Sequence, residues 1–221
     1  FSRGSAESPT FMREVLPKQD GFASVGNGTT GGSNATEQNV FKVTNKKEFV
    51  AALKDRKNTA PKIVLVYGTI DFDTDDTGKP LTMKDYMVDG YDFQQYLETH
   101  KPQSTAPKSL KDEQEEKRKA SQKNQSQSIT VHVPANTSII GMDNAKLKGV
   151  DLVLDADNII IRNIRFESPY DYFPAWDPKD GPEGNWNSQY DSLSIKGGTH
   201  IWIDHCSFQD GPETVETYFG R

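Results

Sequence analysis

The chain has 221 residues, of which 33% are hydrophobic and 26% charged, with a formal net charge of −6. That balance excludes the basic face on which sequence-independent nucleic-acid binding depends, and no run of 18 apolar residues exists to form a membrane-spanning helix. The lone cysteine, Cys206, excludes an intramolecular disulfide and a cysteine-based zinc cluster.

The chain starts at Phe1 without a methionine and carries no signal-like apolar region, so it is read as a processed form whose secretory signal has been removed. Residues 1–40 form an N-terminal extension rich in Gly, Ser, Thr and Asn, and the run from Gly26 to Gly32 has loop chemistry. A helix is predicted over Lys46–Asp55. Asn45 caps it, Glu48 follows three residues on, and Phe49, Val50 and Leu53 make its apolar stripe. Lys62–Tyr67 is a continuous apolar run ending at Gly68, the pattern of a buried strand.

Residues 71–128 read as a polar surface insertion. Asp71, Asp73, Asp75 and Asp76 precede Gly78, but a calcium loop of the EF-hand type starting at Asp71 would have Asp76 where it needs glycine and Thr82 where it needs glutamate. A solvated acidic turn is the expectation. Tyr86–His100 reads as a short helix. Residues 101–128 hold almost no apolar side chains, and Lys117–Lys119 follow Asp112, Glu113, Glu115 and Glu116, as on a solvated helix that adds little to a core.

From 129 to 221 short β-rich pieces recur. Val131 and Val153 lie 22 residues apart, Ile139 and Ile160 lie 21, and Asn136 and Asn158 lie 22. Ile159–Ile201 and Phe166–Phe208 are each separated by 42, an interval that contains the patternless loop 169–190. A period of roughly 20 residues built of strands and tight turns predicts a solenoid. The Leu-x-x-Leu-x-Leu frame of leucine-rich repeats is missing, which leaves a parallel β-helix whose equivalent residues stack from coil to coil. A β-sandwich with accidental spacing is the competing reading.

The segment from Pro169 to Asp191 concentrates chemistry. It carries Asp171, Asp177, Asp180, Glu183 and Asp191 against Lys179, a net of −4, together with Tyr170, Tyr172, Phe173, Trp176, Trp186 and Tyr190. Aromatic and acidic residues on a loop over a rigid scaffold suggest binding. Gln189 and Asp191 are two apart and are expected on one face of the entering strand, where their oxygens are hard ligands suited to Ca²⁺. Such a pair is too few for Ca²⁺, and the same acids would also keep a surface loop soluble. His205 and Asp204 are read as structural hydrogen-bonding residues, because Ser207 lies in a strand and not on a sharp elbow. Cys206 is read as a small packing residue.

Asn185–Asp191 and Gly198–Cys206, preceded by Asn158–Phe166 and Tyr170–Pro174, resemble signature segments of the extracellular pectate lyases of polysaccharide lyase family 1, particularly those of the Bacillus type. The resemblance runs from about Gly28 to Arg221. It implies a right-handed single-stranded parallel β-helix with an N-terminal capping helix and long surface loops. It also implies calcium-dependent β-elimination of polygalacturonate to 4,5-unsaturated products, outside the cell, by a monomer. Within it, Asp191 matches a primary calcium ligand, and Asp180 matches an acidic position that helps hold substrate-bridging calcium. Many members have Asp-x-Asp where this chain has Gln189 and Asp191, so one anionic ligand is replaced by a neutral one. The family's remaining acidic ligands and its catalytic arginine lie past Arg221. The expectation is therefore that residues 1–221 are the N-terminal part of a longer enzyme and are inactive alone. A polygalacturonase would need paired carboxylates after a strand, and none is seen. A non-catalytic polysaccharide-binding β-solenoid remains the alternative.

Overall fold

The computed structural model describes residues 10–211. Its strands and helices, in chain order, are β1 (Val40–Val43), α1 (Lys46–Leu53), β2 (Lys62–Asp71), α2 (Met83–Tyr86), α3 (Phe93–His100), α4 (Lys108–Ile129), β3 (Thr130–Val133), β4 (Thr137–Lys148), β5 (Asp151–Leu154), β6 (Ile159–Arg162), β7 (Arg165–Glu167), β8 (Ala175–Asp177), β9 (Asn185–Asn187), β10 (Leu193–Ile195), β11 (Ile201–Asp204) and β12 (Ser207–Gln209).

Isoleucine- and valine-rich pieces of three to five residues cannot bury themselves alone, and here they do so by stacking. One parallel sheet runs β1-β2-β4-β6-β11, with β7 pairing β4 and β12 pairing β7; a second runs β3-β5-β10. The chain winds repeatedly from the first sheet to the second, which makes a parallel β-helix. Ile159 pairs with Ile201 and Phe166 with Phe208, as the 42-residue interval predicts. The two phenylalanine rings stack 4.9 Å apart with planes 7° from parallel. Two of the shorter intervals were one residue out. Val131 pairs with Leu152, not Val153, and Ile139 pairs with Ile161, not Ile160. Such a slip reverses inside and outside. The period is not uniform around the coil: Thr130 to Asp151 is 21 residues, Thr137 to Ile159 is 22 and Lys146 to Arg165 is 19. The extra residues of β4 fall at Asp143 and Asn144, both in left-handed backbone.

The interior is the apolar ladder Val64, Val66, Ile139, Ile159, Ile161, Ile164, Phe166, Leu152 and Leu154. Burying one such side chain contributes roughly 1.5–3 kcal/mol. The outer face of the long sheet is buried too. Ile63, Leu65, Ile140 and Ile160 are covered by the segment holding Phe11, Met12 and Ala35, which explains why these strands read as unbroken apolar runs. Arg162 lies between the Phe11 ring (5.0 Å) and the Trp202 ring (4.5 Å) and pairs with Glu14 and Asp204. Asn136 and Asn158 occupy equivalent turns at φ of 55° and 62°. Their amides join, Asn158 Nδ2 donating to Asn136 Oδ1 at 2.8 Å, while Asn158 Oδ1 accepts from the backbone of Thr30 and Gly31.

In α1, Asn45 accepts from the Glu48 backbone as expected, but the Glu48 carboxylate reaches one residue further, to the Thr44 N–H. Phe49, Ala52 and Leu53 are its buried residues.

Residues 71–128 depart from the expected solvated excursion. Tyr86, Tyr91, Tyr96 and Phe173 form a third buried cluster. Helix α4 buries Gln114, Arg118, Ser121, Gln122, Gln125 and Ile129, a stripe at helical spacing that is almost entirely polar. The insertion and loop 169–190 leave the same corner of two coils that are separated by one coil. In the coil between them that corner is only Gly149 and Val150. The two excursions therefore emerge side by side and pack on each other.

Candidate metal site

Loop 169–190 is held by an inner frame. Asp171 is 3% exposed, and its two carboxylate oxygens accept from the Phe173 N–H at 2.9 Å and the Gln189 N–H at 3.1 Å. Burial pushes its carboxyl above the usual range, and those two N–H groups oppose the shift. Helix α4 supplies the other partners. Arg118 donates to the Phe173 carbonyl at 2.8 Å, Gln125 donates to the Tyr170 carbonyl at 2.6 Å, and the Gln125 side-chain oxygen accepts from the Tyr172 N–H. Beyond this frame the loop forms the antiparallel hairpin β8–β9, in which Trp176 faces Trp186 with ring centres 5.0 Å apart. Gly184, at φ +80°, lies so close to Trp176 that a Cβ would sit 2.4 Å from the ring. Only glycine fits that approach.

Asp180 projects at the exposed hairpin tip and accepts from Asn185 Nδ2 at 3.2 Å. Asp191 is exposed beside the coil body, where Ser194 Oγ donates to it at 3.2 Å. Gln189 and Asp191 both precede β10, which starts at Leu193, so strand alternation does not govern them. What places Gln189 is the bond from its backbone to Asp171. One coil earlier lies Asp151, whose partner Thr130 Oγ1 donates at 2.9 Å. Burial raises its carboxyl, and the Asp191 charge adds to the rise. Neither Asp151 nor Asp171 was singled out from the sequence. The register signals Asp151, since Leu152 pairs with Leu193. No sequence pattern signals the cross-loop role of Asp171.

The donors fit calcium in kind, because exposed carboxylates are the hard oxygen ligands that Ca²⁺ prefers. They do not fit in number. Among the described residues no group of three or more His, Cys, Asp or Glu side chains is assembled to hold an ion. Asp204 is committed on both oxygens, to Arg162 at 2.8 Å and to His205 at 2.8 Å, in keeping with a structural role. The Cys206 thiol is half-buried and its pKa is raised by that burial, so it packs and is not poised to react.

Stacked parallel coils with an acidic, aromatic loop held over one corner define a parallel β-helix protein. A family profile described as Pectate lyase matches residues 104–218. The chain belongs to the pectate lyase family. It is 49% identical over 220 residues to a pectate lyase of Bacillus subtilis (strain 168), covering 98% of this chain and 52% of that protein. Against pectate lyase A of Dickeya chrysanthemi it is 33% identical over 204 residues, 90% of this chain and 40% of the relative. Among solved structures, a mutant of the Bacillus subtilis enzyme superposes with a TM-score of 0.84 at 47% identity, over 91% of this chain and 51% of that one. A pectate lyase bound to a hexasaccharide superposes with a TM-score of 0.84 at 46% identity, over the same shares. The chain thus spans about half the length of the relatives it matches.

Proposed function

We propose that this chain serves calcium-dependent β-elimination of polygalacturonate, giving 4,5-unsaturated oligogalacturonides. The observation that carries the reading is the 49% identity to a pectate lyase over 98% of the chain. On this reading Asp191 and Asp180 are calcium ligands, Asp191 on the coil and Asp180 at the hairpin tip. Calcium, when bound, would bridge protein and substrate carboxylates and make the proton beside the uronate carboxyl more acidic. The chain's own part is to present carboxylates on a loop that Asp171, Arg118 and Gln125 hold in place. Without a bridging cation the −4 loop repels a polyuronate. Residues 1–221 are assigned no catalytic base. Arg118 and Arg162 are buried in ion pairs, and Arg221 lies outside the described residues. The base is proposed to come from beyond Arg221.

The same proposal includes a right-handed coil, α1 as the cap over the first turn, a monomeric state and secretion, since a plant cell-wall polymer is met outside the cell. The test joins residues 1–221 to the C-terminal half of the Bacillus subtilis relative and follows ultraviolet absorbance on polygalacturonate. A calcium-dependent rise that chelation abolishes, absent from residues 1–221 alone, supports the reading. Binding of the polymer with no unsaturated product would favour a non-catalytic polysaccharide-binding solenoid.

A further inference from the structure

A cavity of about 510 Å³ opens between the two excursions, within the range of roughly 300–1,000 Å³ typical of small-molecule sites. Three successive coils contribute to it: Asp71 and Asp73 from the first, Lys148 from the second, and Glu167, Tyr170 and Tyr172 from the third. Its wall is mixed. The Tyr170 and Tyr172 rings, 4.9 Å apart and tilted at 60°, supply apolar faces. Lys148 Nζ donates to Asp71 Oδ2 at 2.9 Å. Tyr86 donates to Asp73 Oδ1 at 3.0 Å, and Asp73 Oδ2 faces Gly149, 3.5 Å from where a Cβ would lie there.

The charges decide the class of ligand. Two of the three carboxylates are already paired, Asp71 with Lys148 and Glu167 with Lys146, and Asp73 feels the charge of Lys46. Burial already pushes Asp73 up to about 6, the behaviour of a site averse to more negative charge. A uronate or phosphate therefore finds no unpaired lysine, and with Asp71 and Glu167 already neutralised a cation finds only Asp73. The remaining pattern sets acceptors (Asp73, Glu167) beside donors (Lys148, Ser168) under aromatic faces. Hydroxyl groups, each both donor and acceptor, match it, and a pyranose adds a C–H face for the rings.

We propose that this pocket binds an uncharged pyranose, seated on Tyr170 and Tyr172 with its hydroxyls bonded to Asp73, Glu167 and Lys148. Its rim adjoins the candidate metal site, since Ser168 Oγ and Ser192 Oγ lie 3.1 Å apart and Ser192 follows Asp191. The pocket would accept a neutral sugar unit next to the uronate chain. This selectivity deepens the proposed function, while the binding itself is read without cleavage.

The test titrates the protein, with a chelator present, by calorimetry and NMR. The probes are methyl α-D-galactopyranoside and its charged counterpart, methyl α-D-galactopyranosiduronate. The chelator removes any bridging cation, so failure of the calcium reading leaves the result intact. The expected result is saturable binding of the uncharged glycoside, at least about tenfold tighter than the uronate, a ratio set by one unfavourable charge contact. Asp73→Ala weakens it about tenfold through loss of a charge-assisted bond. Tyr172→Leu, which keeps both carboxylates, also weakens it. The comparison of the two probes needs no variant, so a misfolded substitution does not spare the proposal. Absence of saturable glycoside binding, equal or tighter binding of the uronate, or indifference to both substitutions overturns it.

Discussion

The coil body and the pair of excursions on its corner are built on different physics. In the body, Ile159, Ile161 and Phe166 are wholly buried and repeat from coil to coil. In the excursions, the interior of α4 is Gln114, Arg118, Gln122 and Gln125; Gln114 meets the backbone of Gly90 and Asp92, and the other three meet the backbone of loop 169–190. An apolar ladder is tolerant of what lies beside it and stabilises by area. A buried polar face stabilises only if every partner is present, and in return it fixes one backbone path. The molecule uses the first for scaffold and the second where a loop must be held to a defined shape.

Breaking the ladder should have the largest effect. Phe166→Ala leaves a cavity under the Phe208 ring and is expected to cost about 3–5 kcal/mol, read as a lower denaturant midpoint for the whole protein. Next comes Asp73, at the foot of the insertion. Its carboxyl titrates near 6 when folded against an ordinary 3.8, so between those values the folded state binds the proton more tightly. The Asp73 contribution to stability should be fullest below pH 4 and fall by up to about 3 kcal/mol as pH rises through 6. Asp73→Asn should remove that slope, as denaturation series at pH 4 and pH 7 would check. Arg118→Met removes the bonds to the Phe173 carbonyl and Glu115. It is expected to cost about 2 kcal/mol, with faster hydrogen exchange in loop 169–190 and unchanged protection in the coil ladder. Equal loss of protection in both regions would erase the distinction between them.

Legibility in the sequence follows the same division. The ladder showed itself because apolar residues at a fixed interval can be seen without coordinates, and the stacking of Ile159 on Ile201 and Phe166 on Phe208 follows from it. The slip at Val131 and Ile139 arose because runs such as Ile159–Ile161 are apolar on both faces, so spacing alone does not choose between neighbours. The inner face of α4 was illegible for a physical reason. A periodicity of Gln, Arg and Ser is the same in a solvated helix as in one whose amides bond a buried backbone. Loop 169–190 announced itself by composition, and Asp191 and Asp180 by resemblance, whereas the bridge that Asp171 makes from Phe173 to Gln189 exists only once the loop has closed.

The measurement that bears most directly on the central claim is Asp191→Ala in residues 1–221 joined to the C-terminal half of the Bacillus subtilis relative, assayed for calcium-dependent absorbance and for unfolding. Asp191 is exposed, and its side-chain bond is one long contact to Ser194. The expected result is loss of calcium-dependent activity with stability unchanged to within about 0.5 kcal/mol. Full activity of that variant at ordinary calcium concentrations would contradict it and remove Asp191 from the proposed metal site.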